Sequence, residues 1–219
     1  MKKSVKKKEK HLFKNLFYWF AMLTGAIPGF IYFHPKYIYA TAKSKKKIKG
    51  GALVVSNHLS VYDPVYLMFA LWYRRQRFVC MKELYAFSWA KRFFNLARCI
   101  PIDRENPDFD TIREIIDALK NDEIVSIFPE GHINEDTDTL ESFKSGAILM
   151  SVMGGKPIVP IYIKRRPGFW GGITIVTGEP IDPLAIYGRR PSGAQMDEVA
   201  NLLRQKMAEL KRISEENTK

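Results

Sequence analysis

Cysteine is scarce in this sequence of 219 residues, and so are the groupings that mark thiol or metal chemistry. Its two cysteines, Cys80 and Cys99, stand in apolar stretches and outside any C-x-x-C pair. This placement predicts buried free thiols in a reducing compartment and no disulfide framework. The four histidines show no ligand spacing such as H-x3-H, so no metal site and no cofactor are predicted.

Acidic residues are a minority, with 23 Asp and Glu against 35 Lys and Arg and a net charge of +12. Such an excess predicts an anionic partner. Six lysines lie in the first ten residues and five more between Lys43 and Lys49. Because these clusters flank the most apolar stretch of the chain, they favour anionic membrane lipids over nucleic acid as the partner. A solvated tail and a solvated loop are the alternative, and the sequence does not define an oligomeric state.

The most apolar stretch runs from Leu16 to Phe33 and contains 18 residues without a charge. Gly25, Pro28 and Gly29 break it near the middle, and basic clusters stand on both sides. We therefore predict a helical hairpin that inserts into one leaflet, at the cytoplasmic face of the cell membrane. A signal peptide with the Ala40-Thr41-Ala42 pattern as its cleavage site, or a plain core helix, are the alternatives.

After Gly51, short β-rich runs alternate with segments of helical spacing. This order predicts an α/β fold with a mixed, largely parallel sheet flanked by helices. We expect residues 1–42 to form the basic tail and membrane hairpin, and residues 43–219 to form a catalytic domain. The predicted strands are 52–56, 77–81, 99–102, 123–128, 157–163 and 173–177, and the predicted helices are 64–73, 107–120, 145–152 and 192–213.

A histidine and an aspartate follow the first buried run, in the order Asn57-His58-x4-Asp63-Pro64. Pro64 disfavours helical geometry at Asp63, so the stretch is predicted to be a loop that folds His58 back against Asp63. A carboxylate bound to one imidazole nitrogen leaves the other nitrogen as a base. This is two-thirds of a catalytic triad, and an attacking substrate hydroxyl completes it. With no G-x-S-x-G elbow, a serine hydrolase is disfavoured.

Simpler roles remain open for the same residues. Asp63 alone is a suitable N-cap for a helix that starts at Pro64. His58 alone is compatible with a hydrogen-bonded core histidine.

Three further motifs occur in order, and with the first they carry a resemblance to a known family. They are Ile100-Pro101-Ile102-Asp103-Arg104, then Phe128-Pro129-Glu130-Gly131 followed by Phe143-Lys144-Ser145-Gly146, then Ile158-Val159-Pro160-Ile161. The chain resembles the glycerolipid acyltransferase family, whose type reaction acylates 1-acylglycerol-3-phosphate (lysophosphatidic acid). Together the four motifs span about half of the chain.

The resemblance implies a role for each site residue. His58 is the general base and Asp63 holds it. Arg104 binds the phosphate of the acceptor, since a guanidinium grips phosphate through two parallel bonds. Gly131 lets backbone N–H groups approach an anion. Glu130 is expected to hold Arg104, His58 or the acceptor, and Lys144 to add charge to the same pocket. For each of these residues an ordinary turn or surface position is the alternative. Acyl-CoA or acyl carrier protein is the implied donor, with no cofactor.

The chain departs from the family pattern after Gly131, where His132-Ile133-Asn134 replaces Thr-Arg-Ser, and before the second motif. Ile133 stands where the third motif has an arginine, and Arg98 stands where a glycine is usual. Arg98, His132 or Lys144 are candidates to replace the missing charge. The expected reaction makes phosphatidic acid from lysophosphatidic acid in phospholipid synthesis. The alternatives are acylation of another lysophospholipid or a glycolipid, and a non-catalytic protein that binds anionic lipid.

Overall fold

The computed structural model of the protein describes residues 16, 18–20, 22–25, 28–103, 108–133, 145–166 and 172–217. Within these ranges seven strands form one sheet. Apolar and β-branched runs such as ALVVS build its fully buried centre, as expected for strands covered on both faces. The strands are β1 (Lys36–Tyr39), β2 (Ala52–Ser56), β3 (Gln76–Met81), β4 (Ile100–Ile102), β5 (Ile124–Ile127), β6 (Ile158–Arg165) and β7 (Ile173–Thr177).

The spatial order of the strands is β1-β7-β6-β2-β5-β3-β4. Strands β6, β2, β5, β3 and β4 are parallel to one another. Strand β7 runs antiparallel to β6, and β1 is parallel to β7. The predicted mixed, largely parallel sheet is therefore confirmed. We call the edge where the five parallel strands end the carboxyl edge, and the opposite one the amino edge.

Helices cover both faces of this sheet. They are α1 (Asp63–Ala70), α2 (Ser88–Ala97), α3 (Phe109–Lys120), α4 (Ser145–Gly154), α5 (Pro183–Tyr187) and α6 (Gly193–Glu216), with a short 3-10 helix at Lys82–Ala86. Buried side chains of α3, α4 and α6, among them Leu119, Ile148 and Leu203, form one hydrophobic cluster. Tyr66 and Leu67 of α1 form the other, with Phe33 packed against it.

Caps and apolar spacing explain why the predicted helices form where they do. In α3 the Asp108 carboxylate accepts a hydrogen bond from Thr111 N at 2.6 Å, which satisfies one free amide of the first turn. In α6, Ser192 and Gln195 form a reciprocal capping box. The short helices α2 and α5 and strand β1 are additions to the prediction. Strand β1 is a four-residue, largely exposed edge strand without the buried run that marks the others.

The N-terminal segment is described in part. Residues 28–33 are helical and lie against α1, where the Phe33 ring is 4.8 Å from Tyr66 and 5.6 Å from Tyr62. Residues 26 and 27, at the predicted turn, lie outside the described residues, so the structure does not support the predicted membrane hairpin. No helix in the described ranges is long and apolar enough to cross a bilayer. Residues 36–39, grouped by sequence with this segment, belong to the sheet, and the division at residue 42 stays a prediction.

Candidate active site

His58 and Asp63 lie together at the carboxyl edge, in the loop that follows β2. His58 Nδ1 is 2.7 Å from Asp63 Oδ2, and the Asp63 side chain is fully buried while the His58 ring is 13% exposed. The same carboxylate oxygen accepts hydrogen bonds from Leu59 N at 2.6 Å and Ser60 N at 2.8 Å. An oxygen surrounded by donors requires Nδ1 to carry a proton. Nε2 therefore holds the lone pair and is the basic nitrogen.

The local geometry of Asp63 differs from the prediction. Asp63 is the first residue of α1, with Pro64 after it, and the N-cap is Tyr62, whose side chain makes no capping bond. The prediction that the helix starts after Asp63 is wrong, because proline is tolerated in a first helical turn that needs no amide donor. The Asp63 carboxylate points back into the loop, where Oδ1 also accepts from Ser60 Oγ at 3.1 Å. It organises the histidine loop instead of capping the helix.

Asn57 fixes the start of this loop to the neighbouring strand β6. Its side-chain amide donates to Ile163 O at 2.9 Å and accepts from Ile163 N at 2.8 Å. A buried asparagine thereby continues the β2–β6 ladder after β2 has ended. Because His58 is the next residue, this two-bond contact sets where the imidazole leaves the sheet.

We expect Asn57→Ala to lower the free energy of unfolding by about 1–3 kcal/mol, because the backbone N–H and C=O of Ile163 stay buried without partners. Urea unfolding followed by circular dichroism measures the change. Asn121→Ala is the matched control, since that amide donates to Asp117 O on the exposed surface. Equal stability of the two variants would contradict the anchoring role.

The third motif packs directly on the histidine. The Phe128 ring, just after β5, stacks on His58 with a centroid distance of 4.3 Å and an interplanar angle of 20°. Gly131 N donates to Phe128 O at 3.1 Å in a tight turn. Gly131 has φ of +77°, a conformation that glycine adopts without strain. The Phe128–Gly131 turn and His58 therefore lie at the same edge of the sheet.

The other predicted site residues divide into those the structure describes and those it does not. Glu130 is half-buried, and its carbonyl is 3.0 Å from His132 Nδ1. Ile133 is 39% exposed beside this turn. Arg104 and Lys144 lie outside the described residues, although β4 ends at the carboxyl edge and α4 is described from Ser145 onward. The roles of Arg104, Glu130, Gly131 and Lys144 stay predictions.

Arg98 cannot replace the missing arginine at the site. It follows α2 in a left-handed conformation with φ of +60° and precedes β4, so it lies at the amino edge. There its guanidinium pairs with Glu123 Oε1 at 2.5 Å, just before β5. The glycine usual at this position has a structural reason, because a left-handed helix end favours glycine. The candidate role of Arg98 as a phosphate contact is wrong.

The cysteines take no part in this arrangement. Cys80 and Cys99 are half-buried instead of fully buried. A hydrogen bond with Cys80, and then burial, raises the pKa of the Cys99 thiol above its usual value. A raised pKa disfavours the nucleophilic thiolate. In the part of the chain that is described, no three His, Cys, Asp or Glu side chains are grouped as metal ligands.

Sequence reasoning placed Asn57 and Phe128 in the motifs but did not predict the contacts by which they build the site. The contact of Asn57 with Ile163 joins residues 106 positions apart, and no local sequence pattern predicts it. The stacking of Phe128 on His58 was likewise absent from the prediction. A signal did exist for Phe128, because strands β2 and β5 are adjacent and their carboxyl ends must meet.

The fold and the site define an α/β enzyme in which a carboxylate-oriented histidine can take a proton at the sheet edge. A family model described as Acyltransferase matches residues 35–164, more than half of the chain. The chain therefore belongs to the acyltransferase family, and the predicted class of enzyme, an O-acyltransferase, is confirmed.

Individual relatives agree with this assignment. A 1-acyl-sn-glycerol-3-phosphate acyltransferase of Bacillus subtilis (strain 168) is 28% identical over 166 residues, which cover 73% of this chain and 81% of that protein. A 1-acyl-sn-glycerol-3-phosphate acyltransferase of Streptococcus pneumoniae (strain ATCC BAA-255 / R6) is 30% identical over 175 residues, which cover 75% of this chain and 61% of that protein. The crystal structure of the 1-acyl-sn-glycerophosphate (LPA) acyltransferase PlsC from Thermotoga maritima aligns with a TM-score of 0.60 and 21% identity. The alignment covers 99% of this chain and 82% of that one. That likeness shows a shared fold.

Proposed function

We propose that this enzyme transfers an acyl group from an acyl thioester, acyl-CoA or acyl carrier protein, to the free hydroxyl of lysophosphatidic acid. The product is phosphatidic acid, for phospholipid synthesis. The observation that carries the proposal is the His58–Asp63 pair, with Nε2 as the basic nitrogen at the carboxyl edge. Both sequence relatives are named for the same acceptor, which supports the choice of lysophosphatidic acid.

The proposed chemistry uses the two side chains in one step. Nε2 of His58 takes the proton of the acceptor hydroxyl as its oxygen attacks the thioester carbonyl, and the carbon–sulfur bond then breaks to release the thiol. Asp63 stays ionised and stabilises the imidazolium that forms. The imidazolium returns its proton to the leaving thiolate. Asp63 is thus a positioning residue and His58 is the base.

An apolar cavity offers room for the acyl chain. It has a volume of about 620 Å³ and lies between the C-terminal end of α1, residues 30–31 and the β6–β7 part of the sheet. Phe69 and Trp72 line it on the α1 side. The eight residues of α1 span about 12 Å between His58 and this cavity, within reach of an extended acyl group.

A panel of acceptors tests the proposed function. Purified enzyme in detergent is assayed with lysophosphatidic acid, other lysophospholipids, a glycolipid and 1-monoacylglycerol, each with acyl-CoA and with acyl carrier protein as donor. We expect turnover with lysophosphatidic acid to exceed turnover with the acceptors that lack its phosphomonoester. Equal or better turnover with another acceptor favours the alternative suggested by Ile133, an acyltransferase with a different lipid substrate.

We also propose attachment to the cytoplasmic face of an anionic membrane. Large apolar side chains are exposed along the N-terminal segment, among them Leu23, Phe30 and Ile31. More of them surround the site at the carboxyl edge, and we call these the apolar rim: Val61, Tyr62, Phe87, Trp89 and Phe109. Several large exposed apolar side chains at one edge are typical of a surface that binds lipid or protein, and we propose lipid here. A membrane bound at this surface would present a lipid acceptor to His58.

The apolar rim makes a prediction for vesicle binding. Burial of an aromatic side chain contributes about 1.5–3 kcal/mol, so the double variant Phe87→Ser and Trp89→Ser is expected to bind at least about tenfold more weakly. Flotation with phosphatidylglycerol-containing vesicles measures binding. Ile186→Ser is the control, because Ile186 is also half exposed but lies on α5, which follows the amino-edge end of β7. An equal loss in both variants would argue against a lipid-facing rim.

A further inference from the structure

Arg165 ends β6, the strand that lies directly beside β2 and its histidine loop. The position of the β6 end relative to the histidine loop is fixed, because the Asn57 side chain makes hydrogen bonds to both N and O of Ile163. Arg165 follows Ile163 by two residues. Since side chains alternate along a strand, both project from the same face of the sheet.

That face is also the one from which His58 emerges. Ile163 belongs to the buried cluster that contains Tyr66, and Phe128, the ring stacked on His58, packs against the same cluster. Burial raises the pKa of the Tyr66 hydroxyl to about 12, while a hydrogen bond with Ser60 and the charge of Arg165 act to lower it. Ser60 in turn donates to Asp63. The positive charge of Arg165 thus acts on the residues that surround the catalytic pair.

Arg165 is exposed and available to an anion. Within the described ranges, no carboxylate lies at ion-pair distance from its guanidinium, whereas the adjacent Lys164 is 3.6 Å from Glu215 Oε1 on the other face. At the same carboxyl edge, Ile133 occupies the position where the related motif has an arginine. At this edge the β5 side therefore presents Ile133 and the β6 side presents the exposed guanidinium of Arg165.

We propose that Arg165 binds the phosphate of the acceptor and supplies the cation that Ile133 does not. This inference rests on the proposed function, since it names a residue that recognises the phosphomonoester of lysophosphatidic acid. A guanidinium suits this role because its planar N–H groups match two phosphate oxygens at once. From the end of β6 it holds the acceptor beside His58, opposite the Phe128 ring.

The test compares Arg165→Gln with Lys164→Gln in steady-state kinetics. Loss of a charge-assisted contact is expected to raise the KM for lysophosphatidic acid about 10- to 100-fold in Arg165→Gln. The KM for the thioester donor should not change, nor should turnover of 1-monoacylglycerol, which has no phosphate. Lys164→Gln is the matched control with the same chemical change on the opposite face, and it should behave as the wild type. Arg165→Lys should recover part of the loss.

Other outcomes overturn the inference. An equal rise in the KM for donor and acceptor assigns Arg165 to general structure or to the donor, and an unchanged acceptor KM denies it a role. If the wild type acylates lysophosphatidic acid and Arg165→Gln does so equally well, only this inference fails. If the wild-type enzyme does not acylate lysophosphatidic acid, the proposed function is wrong, and the inference about Arg165 fails with it.

Discussion

Replacement of His58 by alanine is expected to lower the turnover of acyl transfer by about 10²–10⁴-fold, the range contributed by a positioned general base. An acceptor hydroxyl is a poor nucleophile until its proton is taken as the new bond forms. In this site Nδ1 is committed to Asp63, so Nε2 is the nitrogen available for the task. Without the imidazole, positioning of the two substrates continues to contribute, and some activity should remain.

Thiol release from acyl-CoA, dependent on lysophosphatidic acid, measures this effect with purified protein in detergent. His34→Ala is the matched control, because His34 is an exposed histidine that precedes β1 and lies outside the four motifs. We expect this control to keep most of its turnover, and both variants to unfold at similar temperatures. If His58→Ala retains most of the wild-type rate, the assignment of the base is wrong.

The sheet and its helices were predictable because their signals are local. The run ALVVS is apolar up to its last residue, Ser56, and β-branched in part, as a strand covered on both faces requires, and β2 is fully buried. The helical apolar spacing predicts that α3 buries Phe109, Ile112, Ile115, Ile116 and Leu119. Ile115, Ile116 and Leu119 are buried in the core, whereas Phe109 at the start of the helix is exposed. Strand β1 lacks such a signal, since its residues lie at an exposed edge of the sheet.

The contact between His58 and Asp63 was predictable, but the geometry around it was predictable only in part. Five positions separate His58 from Asp63, so a loop that closes them is a local solution. The hydrogen bonds of Asp63 with two loop amides depend on where the first turn of α1 begins. The predicted helix starts at residue 64, one residue after the observed start at Asp63. The contacts of Asn57 with Ile163 and of Phe128 with His58 depend on strand order, which is set by the packing of the whole sheet.

Replacement of Asp63 by asparagine should lower turnover on the order of 10⁴-fold, as expected when an orienting carboxylate is exchanged for an amide. The asparagine oxygen accepts fewer hydrogen bonds, and its NH₂ group adds donors that face the donors of Leu59 and Ser60. An amide N–H turned toward His58 Nδ1 favours the tautomer with the proton on Nε2. That tautomer cannot take the proton of the acceptor hydroxyl.

The same exchange should also cost stability, because charge-assisted hydrogen bonds to a fully buried side chain are lost. We expect a decrease in the free energy of unfolding of about 1.5–3 kcal/mol, measured by urea unfolding. Ser60→Ala is the comparison for this part, since it leaves the carboxylate and its bonds to His58 and the loop amides in place. It removes the bond from Ser60 Oγ to Asp63 Oδ1, together with the bonds of the same hydroxyl to Tyr62 N and Tyr66. It should cost less stability and far less activity.

A double variant separates orientation of His58 from a purely structural role of Asp63. If Asp63 acts on the reaction through His58, then Asp63→Asn combined with His58→Ala should be about as active as His58→Ala alone, because residues that act as a unit are not additive. If Asp63 serves only the fold, its loss should reduce the residual activity of His58→Ala by the same factor as that of the wild type. The 2.7 Å contact between the two side chains predicts the first result.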